Sequence, residues 1–192
     1  MKRFALLTGI LALAAPLALA QTSTWKSDAA HSEVDFSIRH MSVSNVHGRF
    51  GKVAATVVLN ETDVTKSTVM ATIDVSTVDT GQTSRDNDLK TDSFFDVAKF
   101  PSATFTSTGV VKKGNNLTMS GNFTLHGITK PVELEVEGPS GPFESPMDHK
   151  PHSGFSATTT ISRTAFNIGT KFPAAIVGDD VKLTIELEVV KQ

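Results

Sequence analysis

The chain of 192 residues contains no cysteine. Without thiols it can form neither a disulfide nor a thiolate metal site, and a cysteine nucleophile is excluded. Lipid attachment through an N-terminal cysteine is excluded for the same reason. The stability of the protein therefore has to come from packing of an apolar core.

The sequence motifs of several enzyme classes are also absent. There is no nucleophile elbow, no glycine-rich phosphate loop and no HExxH helix. A metal site built from His31, His40 and His47 would match no standard ligand spacing, and nothing indicates its carboxylate partners. His149 and His152 fall in a proline-rich loop and are predicted to be solvated. We therefore expect no enzyme activity, no catalytic residue, no metal and no cofactor.

The N-terminus combines a short basic region with a run that lacks charge. Lys2 and Arg3 precede a run of apolar and small residues that ends in Ala18-Leu19-Ala20, which is typical of a secretory signal peptide. A membrane anchor is the alternative, but this run is shorter than the roughly 20 residues that a helix needs to span a bilayer. The sequence thus predicts a signal peptide over residues 1–20 and a periplasmic or secreted location.

Cleavage after Ala20 would leave about 172 residues, enough for one domain with a sizeable core, here residues 21–192. This mature chain has 16 basic residues against 20 acidic ones, a net charge of −4. Nucleic-acid-binding domains present an excess of basic residues. We therefore expect no nucleic-acid partner.

Alternation of apolar and polar residues is clearest at the start of the mature chain. Val34, Phe36 and Ile38 fall on one face of a predicted strand. The same count places His40 at the end of this apolar row, and residues 46–50 follow as a hairpin partner.

Later segments repeat the alternating pattern, with one interruption. The residues predicted to face inward are, strand by strand, Val53, Ala55, Val57 and Leu59; Val69, Ala71, Ile73 and Val75; Ala103, Phe105 and Ser107; Leu117, Met119, Gly121, Phe123 and Leu125; Val132, Leu134 and Val136; Phe155, Ala157, Thr159 and Ile161; Val181, Leu183, Ile185, Leu187 and Val189. Between the fourth and fifth strands, residues 83–100 carry helix-start residues and predict one short helix ending before Pro101. The fold class is therefore all-β.

About eight strands, each with one apolar face, make a sandwich or a closed barrel. Many of the inward residues are small, among them Ala55, Ala71 and Ala157. This favours a hollow barrel over one filled by its own side chains. We predict an eight-stranded antiparallel barrel with one short helix and an elongated apolar pocket.

A series of short motifs, in order along the whole mature chain, resembles the YceI family. The motifs are Trp25 followed by Asp28-x-x-His31-Ser32; Phe36-x-Ile38-x-His40-Met41; Gly48-x-Phe50; Thr80; Arg85-Asp86-x-x-Leu89; Phe94-Phe95-Asp96; Phe100-Pro101-x-x-x-Phe105-x-Ser107; Gly121-x-Phe123-Thr124-Leu125-His126-Gly127-x-Thr129-Lys130-Pro131-Val132; Ile161-x-Arg163-x-x-Phe166; and Val177-Gly178-Asp179-x-Val181. The resemblance implies a lipocalin-like barrel that holds a long-chain amphiphile, such as a polyisoprenoid, an isoprenoid quinone or a fatty-acid derivative. It also implies a homodimer.

Two other functions stay open at this point. The resemblance also extends to proteins that present a quinone-like lipid to a cytochrome b561-type membrane partner. The other candidate function is that of a stress-response protein whose lumen is filled by its own side chains. We expect the carrier function first.

The predicted ligand-binding residues are mainly large apolar side chains on the inner face, with a few polar ones near one end. They are Phe36, Ile38, His40, Met41, Phe50, Arg85, Asp86, Leu89, Phe94, Phe95, Phe105, Phe123, Leu125, Phe155, Ile161 and Phe166. His40 is the first candidate for the head group of the ligand, followed by Arg85 and Asp86. The alternatives are a structural role for His40, pairing or helix capping by Arg85 and Asp86, and plain core packing by Phe94 and Phe95.

Overall fold

A computed structural model describes residues 21–192. The predicted signal peptide, residues 1–20, lies outside the described residues. Within residues 21–192, no helix combines the length and the apolar character needed to cross a bilayer.

Eleven antiparallel strands form one sheet, and pairing of its first and last strands closes the sheet into a barrel. The strands are β1 Thr22–His40, β2 Ser44–Phe50, β3 Val53–Asn60, β4 Thr68–Asp74, β5 Val78–Asp79, β6 Ser102–Lys113, β7 Asn116–Leu125, β8 Ile128–Glu137, β9 Phe143–Glu144, β10 Pro151–Ser162 and β11 Val177–Lys191. The barrel wall has eight strand positions, because β2 and β3 lie end to end along β1 and share one position. The strands β5 and β9 are two-residue additions to β2 and β10. The predicted eight-stranded barrel is confirmed.

The strand β1 contains a bulge where the sequence predicts a turn. Ser27 pairs with Val189 and Ser32 with Leu187, so three extra residues of β1 lie between these pairs. The sequence of residues 28–32 predicts a turn after a short first strand. The structure instead keeps one long strand, because the pairing with β11 resumes beyond the bulge.

Inner-face residues pack according to the predicted alternation. On β7, Leu117, Met119, Phe123 and Leu125 are all buried. Trp25 forms a separate small cluster with Val57 and Val189. This cluster lies where β1 begins and β11 ends, and it closes one end of the barrel.

The opposite end is covered by two segments that we call the cap, residues 83–100 and 163–176. The helix α1 spans only Thr83–Lys90, and turns occupy the chain from there to Pro101. The prediction of one helix is therefore correct, but the helix ends ten residues earlier than residue 100. The reason is that Phe94 and Phe95 face inward from turns, where they contact the barrel residues and the second cap segment.

Candidate ligand-binding cavity

The barrel encloses an apolar cavity of about 410 Å³. This volume lies within the range of about 300–1,000 Å³ that is typical of small-molecule sites. All eight strand positions of the barrel and both cap segments contribute residues to the cavity wall. The lumen is hollow, as the small inward residues Ala55, Ala71 and Ala157 predicted, because their short side chains leave the axis free.

Most of the predicted ligand-binding residues lie in the wall of this cavity. These are Phe36, Ile38, His40, Phe50, Arg85, Leu89, Phe94, Phe95, Phe105, Phe123, Leu125, Phe155 and Ile161. The structure thus brings them together around one space. Their contact with a ligand stays a prediction.

Three of the predicted residues are outside the cavity wall. Met41 lies in the turn after β1 with a positive φ of 49° and is 53% exposed. Asp86 points back to Thr80, whose backbone N–H and hydroxyl both donate to its Oδ1, at 2.9 and 2.6 Å. Phe166 is 2% exposed and packs edge-on behind Phe123, with 5.7 Å between ring centroids. The structure therefore does not bring these three to the cavity wall, and their contact with a ligand stays a prediction.

The cavity reaches the surface beside the first cap segment. Arg39, His40 and Asp88 line the cavity and are also exposed. Polar groups are thus concentrated at this mouth, while the deeper wall is apolar. An elongated guest would enter tail first, since a polar head group keeps its hydration at the mouth.

Arg85 and Asp86 neither pair with each other nor cap α1. Arg85 Nε donates to the Thr80 hydroxyl at 2.8 Å, and its Nη2 donates to the Thr80 carbonyl at 2.9 Å. Both side chains therefore fasten the start of the cap to Thr80. Arg85 also lines the cavity, so it combines this structural role with a position at the mouth.

Aromatic stacking joins the two segments of the cap. The rings of Phe94 and Phe172 are 13° from parallel, with centroids 5.2 Å apart. Gly169 lies beneath this pair with a φ of +58°, and a Cβ there would approach the ring of Phe94 to 2.9 Å. A side chain at this position would disturb the stack as well as the left-handed backbone.

Arg163 anchors the second cap segment from below. It is 3% exposed, and its guanidinium donates five hydrogen bonds to backbone carbonyls. The acceptors are the carbonyls of Gly178 at 2.9 Å, Ile168 at 2.9 Å, Gly169 at 2.6 Å, Phe172 at 2.7 Å and Val177 at 2.7 Å. Arg163 therefore fastens the long connection between β10 and β11.

Asp179 holds the start of the same segment. It accepts hydrogen bonds from the Ser162 hydroxyl at 2.6 Å and from the Thr164 hydroxyl and N–H at 2.7 and 3.0 Å. These hydrogen bonds, with the nearby charge of Arg163 as a smaller contribution, lower the pKa of the Asp179 carboxyl. The ionised form of Asp179 therefore stabilises the cap.

The histidines considered as metal ligands, His31 and His40, lie far apart. Nine residues of strand, roughly 30 Å at 3.3 Å per residue, separate His31 from His40, so the two cannot share a metal ion. His126 Nδ1 is 3.1 Å from the Phe166 carbonyl oxygen, in a structural position. His149 is exposed as predicted, whereas the side chain of His152 is only 16% exposed, because carboxylates enclose it. The prediction for His152 was wrong.

Part of the cavity wall was not predicted as a site. Phe172 in the cap and the inner row of β11, which includes Leu183 and Ile185, also line the cavity. Alternation had already placed the β11 residues on the inner face, so the pattern could have found them. Phe172 lies in an irregular segment where no periodicity exists to indicate its direction.

Known proteins that are similar to this chain share this architecture. A family model described as "YceI-like domain" matches residues 25–189. "Protein YceI" of Salmonella newport (strain SL254) is 40% identical over 162 residues, which cover 84% of this chain and 83% of that protein. The crystal structure of the Campylobacter jejuni YCEI protein is 31% identical, with a TM-score of 0.71, and the match covers 81% of this chain and 90% of that one.

A more distant structural neighbour is a polyisoprenoid-binding domain from Saccharophagus degradans. The TM-score is 0.65 at 16% identity, and the match covers 88% of this chain and 98% of that chain. At this identity the likeness shows the shared fold alone.

Proposed function

The chain belongs to the YceI family, and on that premise we propose that it binds and carries a long-chain amphiphile in its barrel. The observation that carries the proposal is the apolar cavity of about 410 Å³, with most of its polar side chains near its mouth. The ligand class is a polyisoprenoid, an isoprenoid quinone or a fatty-acid derivative.

Burial of the tail supplies the binding free energy in this proposal. Each CH₂ group moved out of water contributes about 0.8 kcal/mol. Two to three isoprene units thus contribute roughly 8–12 kcal/mol before the cost of association, on the order of 4–15 kcal/mol, is subtracted. A short ligand should therefore bind poorly.

The head group lies at the mouth in this proposal. Arg39, His40 and Arg85 border the opening together with Asp88. Three of these four side chains can donate hydrogen bonds, which favours a head group with acceptor oxygens. Ring carbonyls of a quinone, a phosphate or a fatty-acid carboxylate all meet this requirement.

The test is a titration of residues 21–192 with isoprenoid alcohols and fatty acids of increasing chain length, by displacement of a fluorescent fatty-acid probe. Affinity should rise with each added unit until the tail fills the cavity and then level off. An affinity independent of chain length would contradict the proposal.

Residues 1–20 belong to the same proposal. A carrier exported by a cleaved signal peptide would work in the periplasm or outside the cell. Homodimerisation and a membrane cytochrome partner stay predictions of the family resemblance. A stress-response protein with a filled lumen is disfavoured by the hollow barrel.

A further inference from the structure

Histidine and carboxylate side chains meet on the outside of the barrel, away from the cavity. This bulge cluster consists of Asp28, His31, Asp148, His152 and Glu188. It lies towards the end closed by Trp25, because the bulge of β1 follows that tryptophan by three residues. None of the five lines the cavity.

The bulge itself brings two of the five side chains together. Asp28 Oδ1 accepts a hydrogen bond from the backbone N–H of Ala30 at 2.8 Å, which closes the bulge as an Asx turn. Asp28 Oδ2 then faces His31 Nδ1 at 3.2 Å. A strand without the bulge would place these residues on opposite faces.

Glu188 lies opposite the bulge on β11. Its backbone is fixed by Ser32, whose hydroxyl donates to the Glu188 carbonyl and accepts from the Glu188 N–H, both at 3.2 Å. The Glu188 carboxylate reaches two histidines. Oε2 is 3.8 Å from His31 Nδ1, and Oε1 is 2.6 Å from His152 Nδ1.

His152 is held from its other side by Asp148. Both Asp148 carboxylate oxygens lie 3.2 Å from His152 Nε2. A carboxylate on the second nitrogen is the usual partner of a metal-ligating imidazole, because it orients the ring and makes it a better donor.

The charges of the cluster do not balance. Three carboxylates face two imidazoles, and no lysine or arginine among residues 21–192 lies within 4.0 Å of these carboxylates. With neutral imidazoles, the cluster carries three negative charges. A divalent cation would compensate two of them.

We propose that the bulge cluster is a binding site for a divalent transition-metal ion, Zn²⁺ above all. Asp28, His152 and Glu188 each offer a donor atom, and these atoms lie within 4.8 Å of one another. His31 is not in this group of three, but its Nδ1 lies beside Asp28 and Glu188 and would be the fourth ligand on binding, while Asp148 orients His152. The separations of 3.2 and 3.8 Å from His31 Nδ1 to its two carboxylate oxygens bracket the about 3.3 Å expected between ligands of tetrahedral zinc, and the 2.6 Å between His152 Nδ1 and Glu188 Oε1 would widen towards that value on binding.

The nitrogen donors select the type of ion. Imidazole with carboxylate suits Zn²⁺, whereas Mg²⁺ and Ca²⁺ take oxygen ligands alone. The site would fasten β1, β10 and β11 to one another, where the bulge interrupts the β1–β11 pairing.

The test is isothermal titration of EDTA-treated residues 21–192 with ZnCl₂, together with the variants His152→Gln and Glu188→Gln. We expect one zinc ion per chain in the unmodified protein and at least a tenfold weaker affinity in each variant. Zinc should also raise the thermal midpoint of the unmodified protein more than that of either variant. Far-UV circular dichroism reports whether each variant keeps its fold.

The matched controls are His47→Gln and Glu186→Gln, which remove an exposed histidine and the neighbouring outward glutamate of β11. Both should bind zinc like the unmodified protein. Absence of one-to-one binding, or equal affinity in the folded His152→Gln and Glu188→Gln variants, would overturn the proposal. The five side chains would then form an ion-pair cluster only.

Discussion

Single side chains decide how the cap is held over the cavity. Among residues 21–192, no carboxylate forms an ion pair with the buried Arg163, and five backbone carbonyls accept its hydrogen bonds. A buried charge of this kind is tolerated when hydrogen bonds satisfy it fully. The guanidinium therefore holds the backbone of residues 163–178 in place.

Arg163→Lys should lower the free energy of unfolding by about 3 kcal/mol. An ammonium group has three donors and no planar fork, so several carbonyls would lose their partner. Urea denaturation measures the effect. Arg49→Lys is the control, because Arg49 is 57% exposed in its ion pairs and the change should cost less than about 1 kcal/mol. Equal costs at the two positions would contradict this view of Arg163.

Asp179 makes the same region sensitive to acid. Its pKa is lowered in the folded protein, so its contribution to stability is complete above the unfolded value of about 3.9 and is lost as the pH falls through the lower, folded value. Asp179→Asn should therefore destabilise the protein clearly at pH 7 and much less at pH 3. Denaturant unfolding at both pH values checks this.

The exposed neighbour Asp180 provides the control for the acid effect. Asp180→Asn should change stability little at either pH. A loss in Asp179→Asn that is as large at pH 3 as at pH 7 would show that the carboxylate charge does not stabilise the cap.

At the level of elements, the strands were predictable and the cap was not. Period-two alternation places residues such as Leu117, Met119 and Phe123 on the correct face, because one face of each strand is buried. The end of α1 was missed, since Phe94 and Phe95 extend an apolar pattern into turns whose direction depends on tertiary contacts. The bulge at residues 28–31 was missed for a related reason, because only pairing with β11 keeps it within a strand.

The cap should control how fast a ligand enters and leaves. Phe94→Ala removes the stack on Phe172 that joins the two cap segments. We expect ligand dissociation at least about tenfold faster, with a smaller change in affinity, because the rest of the cavity wall is unchanged. Stopped-flow displacement of a bound fluorescent fatty acid measures the rate. Phe143→Ala, in the exposed strand β9 at the other end, should leave the rate unchanged.

At the scale of the whole molecule, residues 21–192 form a barrel that the Trp25 cluster closes at one end and the cap covers at the other. A barrel of eight strands can be filled or hollow, and the sequence favoured the hollow form through its small inward residues. The identity of the ligand was beyond prediction, because an apolar lumen accepts many tails of similar width. The bulge cluster was equally hidden, since its residues come from three distant segments.

Filling the cavity should abolish binding without unfolding the barrel. Ala157 lies on the inner wall of β10, and Ala157→Phe would occupy the axis. Thr158→Phe places the same ring on the outer face of the same strand. Far-UV circular dichroism and thermal unfolding should show that both variants remain folded.

Native mass spectrometry of the protein purified without detergent from its native host tests the central claim most directly. The unmodified protein and Thr158→Phe should each carry one amphiphile of several hundred daltons that organic solvent extracts. Ala157→Phe should appear at its bare mass. A bare mass for all three proteins, with no uptake of added isoprenoids or fatty acids, would contradict a carrier function.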